Sequence, residues 1–154
     1  MLTMLRSHRR WLVLVPLLAA LALPASTLAA TIIGGPGNDV LYGTTSADTI
    51  YGNDGNDTIY GRAGGDTIYG GADNDRLHGG YGNDWMYGGY GTDGLDGGPG
   101  HDHLYGGYGG DAIHAAGDGT ADVISCGPGI DYVVYGPTDT FADSSCEHRY
   151  LRDS

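Results

Sequence analysis

A nine-residue period runs through the centre of the chain without interruption. From Gly34 to His114 the units read GGPGNDVLY, GTTSADTIY, GNDGNDTIY, GRAGGDTIY, GGADNDRLH, GGYGNDWMY, GGYGTDGLD, GGPGHDHLY and GGYGGDAIH. Position one is Gly in all nine. Position six is Asp in all nine: Asp39, Asp48, Asp57, Asp66, Asp75, Asp84, Asp93, Asp102 and Asp111. Position eight is large and apolar throughout: Leu41, Ile50, Ile59, Ile68, Leu77, Met86, Leu95, Leu104 and Ile113. Three columns held over 81 residues impose a repeating architecture, in which each unit is one small element that only its neighbours can stabilise.

Each column has a physical reading. The first six positions, rich in Gly, Asn and Asp, make a turn, because Gly adopts positive φ without steric cost. The last three suffice for a very short strand, in which position eight faces opposite to positions seven and nine. Stacked parallel strands about 4.8 Å apart would merge the position-eight residues into one core. The fold class is therefore all-β. The same stacking lines up the Asp carboxylates, which repel one another unless neutralised. Residues 31–154 keep all 19 acids and only four Arg, a net charge of −15. A hard cation between turns reverses the sign of that interaction. Calcium takes six to eight oxygens from carboxylates and backbone carbonyls, and Gly-rich turns let carbonyls come close. The one Glu of the chain lies outside the repeats, in keeping with a site of strict reach.

These units resemble the hemolysin-type calcium-binding repeat, the RTX nonapeptide G-G-x-G-x-D-x-U-x. The resemblance covers residues 34–114, about two-thirds of the chain after residue 30. It implies a parallel β-roll, a right-handed β-solenoid with two nonapeptides per turn, so that like turns stack every 18 residues. It implies calcium between Asp39 and Asp57, Asp48 and Asp66, Asp57 and Asp75, Asp66 and Asp84, Asp75 and Asp93, Asp84 and Asp102, and Asp93 and Asp111. That makes up to seven ions, with carbonyls of positions one to five completing each shell. The turn Gly43–Asp48 (GTTSAD) keeps only the first Gly and the Asp, and is expected to be the weakest. Turns between Gly79 and Asp111 are expected to be the best formed. Asp54 and Asp73 read as solvated charges, with extra ligation as the alternative. So narrow a core beside a row of acids predicts a disordered chain without calcium and a cooperative roll with it.

The ends read differently. Arg6, Arg9 and Arg10, an apolar run from Trp11 to Leu23, and small residues Ala25, Ser26, Ala29 and Ala30 follow the order of a secretory signal peptide. Residues 1–30 are expected to be that leader, cut near Ala29 or Ala30; a retained anchor is the alternative, since Trp11–Ile33 is about long enough to span a bilayer. After Asp111 the next matching Asp is Asp122, eleven residues on, and Asp131 then restores the spacing of nine. Residues 31–114 thus read as the roll and 115–154 as a capping segment that shields open strand edges. Cys126 and Cys146 lie in it. Two Cys in an exported chain point to one disulfide, with a redox or metal pair as the alternative. Short secreted members of the family look similar here, with Cys-Gly-Pro-Gly-x-Asp and a later Cys-Glu.

Other constellations have plainer readings. His101 and His103 flank Asp102 at a spacing open to zinc or copper, but two His without a third ligand type fit exposed positions. Tyr51, Tyr69, Tyr87 and Tyr105 would form one ladder: either strand-stabilising stacking or a platform for a glycan. Thr49 and Thr67 share one face and Thr58 the other, too few for ice binding. No nucleophile elbow, zinc-protease helix motif or phosphate loop occurs, so no enzyme is expected. The acidic balance excludes a nucleic-acid partner and disfavours anionic membranes. The function expected is a secreted, extracellular calcium-binding structural or adhesive protein. Its partners beyond calcium would be cell-wall polysaccharide or another surface protein; the alternative is a carbohydrate-binding or enzyme-assisting module using the Tyr ladder.

Overall fold

The computed structural model describes residues 28–115 and 117–152. The expected leader thus lies almost wholly outside the described residues. Fourteen strands form two parallel sheets of seven. One sheet stacks β1 (Thr31–Ile33), β3 (Thr49–Asp54), β5 (Thr67–Ala72), β7 (Trp85–Tyr90), β9 (His103–Tyr108), β11 (Val123–Ser125) and β13 (Thr140–Phe141). The other stacks β2 (Val40–Tyr42), β4 (Thr58–Ala63), β6 (Arg76–Tyr81), β8 (Gly94–Asp96), β10 (Ala112–His114), β12 (Tyr132–Tyr135) and β14 (His148–Leu151). Successive units alternate between sheets, so each full turn spans two units. The register confirms the 18-residue step: Ile50 pairs with Ile68, Ile68 with Met86, Leu77 with Leu95.

The position-eight column is the core. Ile50, Ile59, Ile68, Leu77, Met86, Leu95, Leu104 and Ile113 are buried, and Leu41 packs against them from the open N-terminal end. Burying each such side chain contributes about 2 kcal/mol. The core is one residue deep per strand, because Gly at position one leaves no room for more.

Two features differ from the sequence reading. Strands β3 to β7 and β9 are six residues long, not three. Pairing carries on into positions two and three of the next unit, as in Gly71 with Gly89 and Ala72 with Tyr90. The sheets also run on past His114. Leu104 pairs with Ile124 and Ile113 with Val133 at a step of 20; the last step falls to 17 at Ile124 with Phe141 and to 16 at Val133 with Arg149. The segment read as a cap therefore adds two strands to each sheet. It ends in the Cys126–Cys146 disulfide and in the Arg149 guanidinium, 3.9 Å above the Phe141 ring.

Candidate metal centre

The turns lie at the sheet edges, where like positions of successive turns meet. Gly at position one is forced by this stacking. A Cβ on Gly70 would sit 2.5 Å from Asp75 Oδ2 and 2.6 Å from the Gly88 carbonyl oxygen one turn on. Gly at position two is forced by conformation: Gly89 has φ 115°, and a Cβ there would lie 2.2 Å from the Gly71 carbonyl oxygen. At Asn53, Arg62 and Asp73 the backbone keeps the left-handed path without Gly, whereas at Thr44 it does not. Asn53 and Arg62 at position two and Asp73 at position four hold φ of 80°, 83° and 73°, a strained choice for Arg. Asp54 and Asp73 are exposed, as solvated charges are.

Each column carboxylate divides its two oxygens. Oδ1 accepts the backbone N–H of the Asp one turn earlier at 2.7–2.9 Å: Asp75 from Asp57, Asp84 from Asp66, Asp93 from Asp75, Asp102 from Asp84, Asp111 from Asp93. Oδ2 turns back into its own loop. In Asp57, Asp66, Asp75, Asp84, Asp93, Asp102 and Asp111 it is buried and has no hydrogen-bond partner among the described residues. In Asp75 it borders the position-one Gly70, which the Gly88 carbonyl oxygen of the next turn borders as well. A buried carboxylate oxygen without a donor is costly, the more so beside further acids of its column.

The titration behaviour follows. Loss of hydration pushes Asp66, Asp75 and Asp102 up to about 7, against the pull of the N–H bonds and with help from neighbouring carboxylates. The same burial takes Asp84 and Asp111 to about 6, and holds Asp57 and Asp93 above their ordinary value. Asp39 and Asp48 instead have donors for Oδ2. Gly35 N–H donates to Asp39 Oδ2 at 2.6 Å and Thr44 N–H to Asp48 Oδ2 at 2.5 Å. Burial raises the Asp48 pKa, but the N–H groups of Thr44 and Ala30 and the Thr44 hydroxyl outweigh it and leave it below the usual carboxylate value.

The columns are longer than the nonapeptide run. Asp122 and Asp131 are buried, each with an unpartnered Oδ2, and their Oδ1 atoms accept the N–H of Asp102 and Asp111 at 2.8 Å. Burial, with neighbouring acids, pushes Asp122 up to about 7 and raises Asp131. Asp139 and Glu147 then close the two columns, accepting the N–H of Asp122 and Asp131 at 3.1 Å. The match of TADVI and GIDYV is visible in the sequence, but the insertion before Asp122 breaks the period of nine and places both Asp in the segment read as a cap. Among the described residues no three His, Cys, Asp or Glu gather around one point. Two carboxylates per inter-turn space, completed by carbonyls, is an all-oxygen donor set suited to a hard cation.

A family model described as the RTX calcium-binding nonapeptide repeat matches four times, at residues 33–68, 60–95, 69–104 and 87–119. The chain belongs to this family of calcium-binding β-rolls. No curated protein matches it. Among the described residues no helix is long and apolar enough to cross a membrane.

Among the described residues the remaining side-chain groups do not converge on a second centre. His101 Nδ1 lies 3.0 Å from the Ala121 carbonyl oxygen, while the His103 ring stacks on Trp85 with centroids 3.9 Å apart. Tyr51, Tyr69, Tyr87 and Tyr105 do form one ladder, with centroids 4.9–5.0 Å apart and rings nearly parallel. Each inner ring face is covered by its neighbour. Thr49 pairs with Thr67 on one sheet and Thr58 lies on the other.

Proposed function

We propose that this is an exported protein whose roll folds on calcium, serving a structural or adhesive role at the cell surface and carrying no catalytic activity. The observation that supports this reading is the row of buried, unpartnered Oδ2 atoms. Both members of a stacked pair carry such an oxygen in Asp57/Asp75, Asp66/Asp84, Asp75/Asp93, Asp84/Asp102, Asp93/Asp111, Asp102/Asp122 and Asp111/Asp131. These pairs, rather than those reaching back to Asp39 and Asp48, are the ligand sets we assign. Bound calcium would supply the positive charge that the ionised column lacks. The chain's own part is to hold the carboxylates in register through the Asp N–H···Oδ1 bonds, and to bring carbonyls near through Gly at positions one and two. Because ligands come from successive turns, binding and folding are one event. Residues 1–30 act as the leader; within 115–154 the roll runs on through Asp122 and Asp131, and the part from Asp139 onward caps it. A chain that folds only at extracellular calcium levels, about 10⁻⁴–10⁻³ M for modules of this kind, folds after export.

The geometry of the Tyr ladder favours sheet stabilisation over a glycan platform, since stacking on a sugar needs a free ring face. The test is far-ultraviolet circular dichroism of residues 31–154 during a calcium titration from chelator, with magnesium as control. A sharp coil-to-β transition with calcium alone is expected. A full β signal in chelator at neutral pH would sink the coupled-folding reading.

A further inference from the structure

Asp48 stands apart from the other buried members of the columns. Its Oδ1 accepts the Ala30 N–H at 2.7 Å and the Thr44 hydroxyl at 3.2 Å, and its Oδ2 accepts the Thr44 N–H at 2.5 Å. Both oxygens are thus satisfied at 3% exposure, whereas nine later Asp keep a buried free Oδ2. Ala30 lies 18 residues before Asp48, at the register position that an Asp holds in the next four turns. Sheet bonding also starts there: the Ala30 carbonyl accepts the Thr49 N–H at 2.9 Å, while Leu28 and Ala29 are exposed. The edge of the folded unit therefore falls at the Ala29–Ala30 peptide bond.

We propose that the leader is cut between Ala29 and Ala30, and that the new α-ammonium of Ala30 is the cation that closes the column at Asp48, so that the turn Gly43–Asp48 takes no calcium. This rests on the cleaved-leader reading above. Hydrolysis breaks the Ala29–Ala30 amide; water leaves its hydroxyl on the Ala29 carbonyl carbon and its proton on the Ala30 nitrogen, which takes up a further proton at neutral pH. A neutral donor to Asp48 becomes a charged one, in a partly buried place where a charge-assisted bond is stronger. A cut one residue later would remove both the donor to Asp48 and the acceptor for the Thr49 N–H. A cut earlier would leave a neutral amide.

The chain has no Lys, so the α-amine is the sole primary amine of the processed protein and an amine-reactive acetyl ester reads it alone. The full chain is expressed with its leader, and the exported protein is analysed by intact mass and N-terminal sequencing. A start at Ala30 is expected. A start at Met1 removes the leader reading itself; a start elsewhere leaves a leader but overturns this proposal. Acetylation of the calcium-loaded protein is then expected to be at least about tenfold slower than in denaturant or in folded Asp48→Asn, one pK unit of protection. Equal rates overturn the proposal. Bound calcium per chain, measured after equilibrium dialysis, should be unchanged in Asp48→Asn and reduced in Asp84→Asn. Loss of an ion from Asp48→Asn also overturns it, and should that variant not fold, the comparison with denatured wild type decides.

Discussion

Acid should do what calcium does. In the roll, burial sets Asp66, Asp75, Asp102 and Asp122 at about 7, and Asp84 and Asp111 at about 6, against an ordinary 3.8. A carboxyl whose pKa is raised by folding contributes stability that is complete below its unfolded pKa and is lost as pH climbs through the folded value. The calcium-free roll is therefore most stable near pH 4 and loses that stability between about pH 4 and 7. A shift of three units is worth about 4 kcal/mol and one of two units about 3, before solvent screening. Half of that, summed over six groups, is comparable with the whole stability of an ordinary domain, about 5–15 kcal/mol. Calcium-stripped residues 31–154 should thus show β-sheet circular dichroism near pH 4, lose it with a midpoint between about 6 and 7, and regain it at neutral pH with excess calcium. A stripped chain equally folded from acid to neutral pH would refute the argument, since the Asp columns would then carry no net cost. A chain unfolded at every pH until calcium is added would refute it too.

Asp84→Asn keeps an oxygen to accept the Asp66 N–H but removes charge from two adjoining inter-turn spaces. The calcium midpoint by circular dichroism should rise at least about tenfold, about 1.4 kcal/mol. Met86→Ala opens a cavity where the side chain is 0% exposed, and should cost about 2–5 kcal/mol by denaturant titration in excess calcium. Cys126→Ser with Cys146→Ser removes a cross-link between residues 20 apart. It should lower stability in calcium by about 3 kcal/mol, with β13 and β14 losing hydrogen-exchange protection first.

Much of this architecture is written in the period itself. Residues 18 apart meet equivalent neighbours only if two units make one turn, and a strand pattern with one apolar position in three has one way to bury it. The period showed the apolar core of Ile50 to Ile113 and the recurring Asp, while two units per turn, and hence the two parallel sheets and the stacked Asp pairs, were implied by the resemblance of the units to the RTX nonapeptide. Neither could determine how a carboxylate spends its oxygens, because that depends on which backbone groups the neighbouring turn presents. Only the tertiary structure decided that Oδ1 is used on an N–H while Oδ2 is left free, and that Gly35 and Thr44 satisfy Asp39 and Asp48. It also decided that Asp122 and Asp131 join the columns. Loops of irregular length broke the period there, but the strands they connect still stack, since hydrogen-bond pairing follows neighbours in space and not counts along the chain.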